Sequence, residues 1–455
     1  MRKQKRKLYR TKFRNIEELD PRSVEWCMQC GSCLNDHRLL AGIQGACPIF
    51  NHGKPFEPYL SRGRQQTIRA LLEGRLEPSQ ELSDAAFMCT TCNACNSVCH
   101  ATHTESQSWP ITRVNDQAYV FENLRADLMS LGFAHLEGHR VLMGALANYD
   151  NPWGQPRRAK TGWARKVDLS GKDLGKKKEK VDVLLFHGCT APLDRSLQDV
   201  TLATAQILDK AGVNWGYLGE KEICCGSIAA RVGELGVFKE VAKRNVDLLN
   251  DLYDNFGVRT IVTSCAGCFK TLFQDYPELA EYDGEVGKIK AEILHTSLFA
   301  QKLVEQGRIT FGNGLHFKAT YHDPCHLARH CHVYETPRTL LASIPGVEFV
   351  EMFRNRKYAL CCGSGGGLKS GYPDMAMDIA TERVKEAEGT GAQYIVTTCP
   401  FCEQNLRDAI KGSDSEVKLV DLVQLMALSS GSRTGELQAI TDLPGPPKGV
   451  VYGGD

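Results

Sequence analysis

The sequence predicts a protein of mixed α+β and α/β class, in which a helical, cysteine-bearing N-terminal domain precedes two repeated α/β domains. The repeat is visible in the cysteines, because Cys189 and Cys325 lie 136 residues apart while Cys265 and Cys399 lie 134 apart. A β-branched run comes directly before Cys265 and again before Cys399, which is typical of a buried strand that ends at the cysteine. Helical patterns separate these runs, and an alternation of strands and helices favours parallel sheets.

Composition along the chain divides it into five segments. The stretch 151–180 is rich in Pro, Gly and Lys and lacks apolar periodicity, so it is predicted to be a linker. The predicted segments are a helical domain at 15–150, the basic linker at 151–180, α/β domains at 181–310 and 315–432, and a tail at 433–455.

Helical periodicity recurs in both parts of the chain. The predicted helices cover residues 64–73, 84–89, 116–129, 200–211, 236–252, 292–305, 337–343 and 373–387. In parallel sheets, binding sites form beyond the carboxyl ends of the strands, where the cysteines that end the β-branched runs would lie.

Composition and charge exclude several classes of protein. The chain has 455 residues, 42% of them hydrophobic, and a formal net charge of +1. A balance so close to zero argues against a nucleic-acid binder, and ordinary hydrophobic content argues against disorder. No apolar run is long enough to span a bilayer, and the basic N-terminus is not followed by the apolar region of a secretory signal.

Nineteen cysteines in a large chain without a secretory signal indicate metal binding or redox chemistry rather than disulfides. Eighteen of them fall into four groups, separated by long stretches without cysteine. The groups are Cys27, Cys30, Cys33 and Cys47; Cys89, Cys92, Cys95 and Cys99; Cys189, Cys224, Cys225, Cys265 and Cys268; and Cys325, Cys361, Cys362, Cys399 and Cys402.

The first two groups each begin with the spacing C-x2-C-x2-C, which lets three thiolates reach three irons of a cubane. In two-cluster ferredoxins the fourth cysteine of each run binds the other cluster. We therefore pair Cys99 with Cys27, Cys30 and Cys33. The second predicted cubane is bound by Cys89, Cys92, Cys95 and Cys47. Two structural zinc sites are the alternative, although zinc usually takes two separated C-x2-C pairs.

The third and fourth groups offer five thiolates each, one more than a cubane or a zinc ion needs. Either one cysteine of each group is a reactive spare, or one thiolate bridges two irons in a non-cubane cluster. The adjacent pair Cys224 and Cys225 favours neighbouring metals. A structural alternative, buried cysteines that act as small apolar side chains, fits two matching sets of five poorly.

These spacings resemble the twin cysteine-rich CCG domains of heterodisulfide reductase. With the two-cubane ferredoxin-type module in front, the chain resembles the D subunit of heterodisulfide reductase over about residues 20–430. The sequences His322-Asp-Pro-Cys325-His-Leu-Ala-Arg329, Cys361-Cys-Gly-Ser-Gly-Gly-Gly367 and Asn151-Pro-Trp-Gly154 are similar to local signatures of that family. The domain also occurs in sulfite-reduction-associated complexes and in iron–sulfur subunits of glycolate oxidase and anaerobic glycerol-3-phosphate dehydrogenase.

The resemblance implies a catalytic subunit that reduces a disulfide reversibly between two non-cubane [4Fe-4S] clusters, which two cubane clusters supply with electrons. The chain contains no flavin or nucleotide fingerprint, so its electrons are expected from another subunit, such as a membrane cytochrome b or a flavoprotein. The expected location is cytoplasmic, at the inner face of the membrane through a partner. The alternatives are an electron-transfer subunit of a quinone-linked dehydrogenase and a zinc-dependent interaction protein.

Other residues near the cysteines invite functional and structural interpretations. His187, His322 and His326 are candidate proton donors, or else they hydrogen-bond sulfur or backbone. The cations Arg329, Arg338 and Lys318 could attract an anionic substrate or offset cluster charge, or simply be exposed.

The stretch 363–367 resembles a phosphate-binding loop but lacks its G-K-[ST] ending, so backbone approach to a cluster is expected. Cys331 belongs to no repeated set and is predicted not to be a ligand.

The cysteine pattern predicts the metal content of the chain. Protein purified without oxygen should contain about 16 iron atoms, four at each of four sites, and no stoichiometric zinc. Elemental analysis and the visible spectrum measure this. About half of that iron content in intact protein would show that one pair of cysteine sets is empty.

Overall fold

The C-terminal two thirds of the chain forms two parallel four-stranded sheets of the same topology, which confirms the predicted α/β repeat. The structure, a computed structural model, describes residues 13–19, 22–25, 27–33, 46–54, 56–99, 116–133, 136–165, 167 and 169–432. The predicted tail at 433–455 lies outside these residues. The strands are β1 (Val183–Leu185), β2 (Trp215–Tyr217), β3 (Thr260–Thr263), β4 (Glu292–His295), β5 (Phe317–Tyr321), β6 (Val347–Val350), β7 (Tyr394–Thr397) and β8 (Lys418–Asp421).

The strand order is β2-β1-β3-β4 in the first sheet and β6-β5-β7-β8 in the second. In each sheet the chain runs from the first strand (β1 or β5) to its outer neighbour (β2 or β6) and then crosses to the opposite side of the first strand. The direction of winding therefore reverses between β1 and β3 and between β5 and β7, and such a reversal is a topological switch point. Cys189 follows β1 and Cys265 follows β3, while Cys325 and Cys399 follow β5 and β7. The fold thus places cysteines of each repeat at the carboxyl ends of adjacent strands.

The helices fall between the strands and across the N-terminal domain. Those of the N-terminal domain and of the segment after it are Arg14–Glu17, Arg22–Glu25, Pro48–His52, Ser61–Leu72, Gln80–Phe87, Ala94–Ser97, Gln117–Ser130, Glu137–Tyr149 and Gly162–Arg165. Those of the first repeat are Thr190–Leu193, Gln198–Lys210, Ser227–Arg231, Leu235–Phe256, Ala266–Lys270, Tyr276–Asp283 and Thr296–Glu305. Those of the second are Glu335–Ala342, Leu368–Gly371, Pro373–Glu388, Pro400–Lys411 and Leu422–Ser429. Within the described residues, every helix is too short or too polar to cross a membrane.

One predicted helix is partly wrong. The apolar pattern predicts a helix throughout residues 292–305, but Glu292–His295 forms strand β4 and the helix begins at Thr296. Ile293 and Leu294 pair with β3 as the edge of the first sheet. A short buried strand and the first turn of a buried helix have similar apolar patterns, so periodicity alone does not separate them.

The two repeats share their hydrophobic core. Alternate residues of a strand point to opposite faces of its sheet, so Leu184 and Ile261 pack into one buried cluster while Val183 and Val262 pack into another. Each cluster also contains residues of the second sheet, among them Ile395 in the first cluster and other strand residues in the second. Strands buried on both faces explain the continuous apolar runs in the sequence.

The segment predicted to be a linker is packed against the first repeat. Residues 151–180 contain short helical turns, and Asn151, Lys160 and Trp163 are buried. The Trp163 ring lies edge-on to His187, with 4.5 Å between ring centroids. The segment therefore contributes side chains to the interior beside the first five-cysteine set.

The guanidinium of Arg125 joins the three parts of the molecule. Arg125 is 0% exposed and donates five hydrogen bonds to backbone carbonyls. Three acceptors belong to the N-terminal domain, at the end of the helix Gln80–Phe87 and at Cys89. The other two are Arg231 O in the first repeat, at 2.6 Å, and Gly366 O in the second, at 2.8 Å. Helix-terminal carbonyls lack intrahelical donors, so a buried cation is a favourable partner for them.

The Arg125 junction predicts a large stability effect. Replacing Arg125 with Met removes five hydrogen bonds from buried carbonyls, at a cost on the order of 5 kcal/mol if each contributes about 1 kcal/mol. We expect a lower thermal transition temperature and loss of iron on purification. Arg140→Met is the control, because Arg140 is an exposed residue that pairs with Glu137 on the surface. Equal transition temperatures for the two variants would contradict the role of Arg125.

Candidate metal centre

A cavity of about 320 Å³ lies between the carboxyl ends of the two sheets, and cysteines are the most frequent residues in its wall. Nine of the ten cysteines from the two five-cysteine sets contact it. They are Cys189, Cys224, Cys225, Cys265, Cys268, Cys325, Cys362, Cys399 and Cys402. Leu142, Trp153, Ile228 and Phe401 are among the apolar residues that complete its wall. The fold therefore brings both five-cysteine sets to one space.

The thiols of the first five-cysteine set hydrogen-bond to one another. Hydrogen bonds from the thiols of Cys224 and Cys268 lower the pKa of Cys225 to about 5. The hydrogen bond with Cys224, together with burial, raises the pKa of Cys189 well above its usual value. Cys268 also contacts Cys265, so the five thiols form a continuous group. Such a group of soft, buried donors suits iron or zinc rather than a hard cation.

The thiols of the second five-cysteine set are also in contact with one another. The sulfur atoms of Cys362 and Cys402 are 3.3 Å apart, and hydrogen bonds from the thiols of Cys361 and Cys402 lower the pKa of Cys362. The His322 imidazole joins this pair, because one of its nitrogens and the two sulfurs all lie within 4.8 Å of one another. The two sets also meet directly, since the thiols of Cys265 and Cys399 hydrogen-bond to each other.

The structure brings together the cysteines that are predicted to pair across the first two groups. Burial raises the pKa of Cys33 to about 12, and the thiolates of Cys99 and Cys27 add to this rise. Burial likewise raises the pKa of Cys47 to about 12, with Cys89 and Cys92 as its thiolate neighbours.

The remaining two cysteines of these groups differ in exposure. Cys95 lies beside Cys47 and close to Cys33, so the two N-terminal sets are neighbours. Cys30 is exposed, and its sulfur is 3.4 Å from the hydroxyl oxygen of Ser32. The first N-terminal set thus has one edge at the surface, while the second has no fully exposed cysteine.

The second N-terminal set touches the second five-cysteine set. Cys92 packs in one buried cluster with Ala94, Cys325 and Cys361. A hydrogen bond with Cys361 is the main cause, and burial the second, of a pKa well above the usual value for the Cys92 thiol. The four cysteine sets therefore form an unbroken series from the exposed Cys30 to the first five-cysteine set.

A glycine-rich loop lets the N-terminal domain approach this closely. A Cβ atom at Gly365 would lie 2.8 Å from Thr90 O, and one at Gly366 would lie 2.5 Å from Cys89 O. Gly366 also has a φ of +64°, which side chains other than glycine rarely adopt. The loop 363–367 thus contacts the backbone of a cysteine-bearing loop, and its approach to a cluster stays a prediction.

The three candidate histidines are all buried, and burial lowers the pKa of His187 and His322 to about 3 and that of His326 well below its usual value. Only His326 lines the cavity. His322 accepts a hydrogen bond at Nδ1 from Arg383, so its own proton is on Nε2. At neutral pH these imidazoles are uncharged, and a role for any of them in proton transfer stays a prediction.

The candidate cations have different surroundings. Arg329 is buried beside Cys92, Cys325 and Cys361, and these thiolates raise its pKa against the opposing effect of burial. Arg338 pairs with Asp323 and Glu351, and Lys318 pairs with Glu348, so neither offers an unpaired charge.

The cation beside the first five-cysteine set is Lys160, which no motif in the sequence marks. Burial on its own would lower the pKa of Lys160, but Cys189, Glu222, Cys224 and Cys268 raise it above its usual value. Its position in a lysine-rich stretch is typical of a solvated chain. The neighbouring Trp163 is a sign in the sequence that this stretch is buried.

Models of two families match the chain. The cysteine-rich domain matches twice, at residues 183–273 and 319–407, and the 4Fe-4S dicluster domain matches residues 23–102. These matches cover the two sheets and the N-terminal cysteine groups. The donor set of buried thiols described above fits the iron–sulfur clusters that these domains indicate.

Several proteins of known name are similar along nearly the whole chain. The D subunit of dihydromethanophenazine:CoB–CoM heterodisulfide reductase from Methanosarcina mazei is 32% identical over 428 residues, which is 92% of this chain and 97% of the relative. The B subunit of fumarate reductase (CoM/CoB) from Methanothermobacter marburgensis is 28% identical and aligns with 90% of this chain and 73% of its own. EtfAB:quinone oxidoreductase from Syntrophomonas wolfei is 26% identical, and the alignment covers 90% of this chain and 59% of that protein.

A solved structure of a hypothetical protein from Helicobacter pylori shares the fold. The TM-score is 0.52 at 9% sequence identity, and the match covers 83% of this chain and 69% of the other. At this identity the likeness concerns the fold alone.

The surroundings of Cys331 predict that it binds no metal. Cys331 is buried, and the charged groups around it are Lys270, Asp275 and Arg231, with no cysteine of the four sets among them in the described residues. We expect Cys331→Ser and Cys331→Ala to keep the iron content and the visible spectrum of the unchanged protein. Two substitutions are used because a hydroxyl in an apolar position can destabilise the fold by itself. Loss of one cluster in both variants would show that Cys331 is a ligand.

Proposed function

This chain belongs to the family of the heterodisulfide reductase D subunit and is an iron–sulfur oxidoreductase, and we propose that it reduces a disulfide held between its two five-cysteine sites. The observation that carries the proposal is the shared cavity: both sets are complete at five cysteines, and both line one space. A site built only to pass electrons onward has no need of a cavity between two such sets. The proposed cofactors are two cubane and two non-cubane [4Fe-4S] clusters.

The stoichiometry of the reaction explains why two sites would face each other. Reduction of RSSR to two RSH takes two electrons and two protons. When bound, the clusters supply these electrons one at a time. Two sites on one cavity allow both electrons to be present when the S–S bond breaks, so no free thiyl radical needs to leave.

The residues around the cavity would orient the substrate and supply protons. Trp153 and Phe401 lie edge-to-face, with ring centroids 6.4 Å apart, and form an apolar wall that excludes water from one side. His326 is the histidine at the cavity, and its Nε2 has no hydrogen-bond partner among the described residues. We assign to His326 the transfer of a proton to a product thiolate. His187 packs against Trp163, and His322 lies beside the sulfurs of Cys362 and Cys402.

The chain of cysteine sets gives the direction from which electrons would arrive. Cys30 is the exposed cysteine of the four sets, and the others are partly or fully buried. A partner subunit that carries a haem or a flavin would dock near this exposed edge, and the relatives named as subunits of larger reductases support such a partner. We place the protein at the cytoplasmic face of a membrane through that partner.

A second candidate function is electron relay from a flavin dehydrogenase to quinone. The similarity to EtfAB:quinone oxidoreductase favours it, because that relative aligns with 90% of this chain. In a relay the unbroken series of cysteine sets would serve as a conductor, and no disulfide would bind in the cavity.

A ligand substitution in either five-cysteine set separates the two functions. Cys225→Ser and Cys362→Ser should each abolish disulfide reduction driven by reduced methyl viologen, because each site must supply one electron. The N-terminal clusters should stay reducible in both variants, as measured by electron paramagnetic resonance. Cys331→Ser is the matched control and should keep full activity.

The substrate panel for this assay contains neutral, anionic and cationic disulfides, because the site indicates the type of reaction but not which disulfide is reduced. If protein with full iron reduces none of these disulfides but passes electrons to a quinone with a dehydrogenase partner, the relay replaces the enzyme.

A further inference from the structure

One cation from outside the two repeats is buried against the first five-cysteine set. Lys160 lies in the helical turn Arg157–Thr161 and is 3% exposed. Its charge interacts with the thiolates of three members of this set: Cys189, Cys224 and Cys268. A lysine is rarely buried unless a partner compensates its charge, so the position of Lys160 needs a functional or structural cause.

Glu222, the carboxylate that pairs with Lys160 in the described part of the chain, balances its charge only in part. The ammonium nitrogen donates to the backbone oxygen of Glu222 at 3.0 Å, while the nearest carboxylate oxygen is 3.6 Å away. The other carboxylate oxygen accepts from the backbone N–H of His187 at 3.0 Å. Glu222 is therefore held by the backbone of His187, two residues before Cys189, and Lys160 is anchored two residues before Cys224 through the backbone oxygen of Glu222.

The second five-cysteine set has a different counter-ion. There the buried cation is Arg329, which donates to Cys92 O at 2.7 Å and to Ala359 O. Arg329 interacts with Cys325 and Cys361 of the second set and with Cys92, so its charge is shared with the N-terminal domain. The residue of the first repeat that corresponds to Arg329 is Leu193, 136 positions earlier. The two otherwise similar sites thus differ in the charge around them.

We propose that Lys160 is the counter-ion of the first five-cysteine site and raises its reduction potential. A positive charge fixed close to a redox centre favours the state with one more electron, and the low dielectric of the interior makes this effect strong. The inference rests on the proposed function only in taking both sites to hold clusters. Lys160 is a positioning residue in this scheme, because it need not touch the substrate.

The test is a redox titration of the intact, iron-loaded protein, followed by electron paramagnetic resonance without any disulfide present. Lys160→Met should shift one of the two five-cysteine signals to lower potential and leave the other and the N-terminal signals in place. Lys160→Arg keeps the charge and should keep the potential. Lys176→Met is the matched control, since Lys176 belongs to the same basic segment but its side chain is mostly exposed. The variant Cys362→Ser identifies the first-site signal by altering the second site.

An unchanged potential in Lys160→Met with full iron content would overturn the proposal. If Lys160→Met loses iron, the double variant Lys160→Met with Glu222→Gln is titrated against Glu222→Gln alone, and the proposal requires a lower first-site potential in the double variant. Iron loss in this double variant and also in Lys160→Arg would assign Lys160 to packing and reject the proposal. Because the titration uses no disulfide, a failure here is distinct from a failure of disulfide reduction.

Discussion

The loop from Cys89 to Cys92 depends on hydrogen bonds to its backbone carbonyls, and the arrangement of the three domains follows from where those donors lie. Arg125 of the N-terminal domain donates to Cys89 O, while His330 and Arg329 of the second repeat donate to Thr91 O and Cys92 O. A buried carbonyl without a donor is costly, so these partners cannot be exchanged for apolar groups. The same Arg125 also binds a carbonyl of each repeat, which fixes the N-terminal cysteines against the second five-cysteine set.

Gathering so many thiols in the interior creates a problem of charge as well as of packing. Thiolates are unfavourable in a low dielectric unless cations or hydrogen bonds offset them. The protein uses a separate buried cation at each five-cysteine site, Lys160 at the first and Arg329 at the second. The nearby histidines are too deeply buried to add positive charge at neutral pH, so the positive charge at the two sites comes from lysine and arginine side chains.

The parallel topology converts a sequence duplication into a pair of facing sites. A strand order that reverses beside the central strand brings the carboxyl ends of β1 and β3 together, and likewise those of β5 and β7. When the two sheets share a core, these ends meet, and the thiols of Cys265 and Cys399 come into contact. One cavity between two cysteine sets is therefore a consequence of how the repeats pack.

The sequence by itself determined the four cysteine sets, the duplicated α/β class and the strands that end at Cys265 and Cys399, because spacing and β-branched runs are local features. It did not determine that residues 151–180 are packed, since a lysine-rich stretch with little periodicity has the composition of a solvated linker. The roles of Lys160 and Arg125 were decided only by the tertiary structure, because their partners are distant in sequence and lie in other domains. A buried cation is recognised by the charges and carbonyls around it, and those neighbours exist only once the chain has folded.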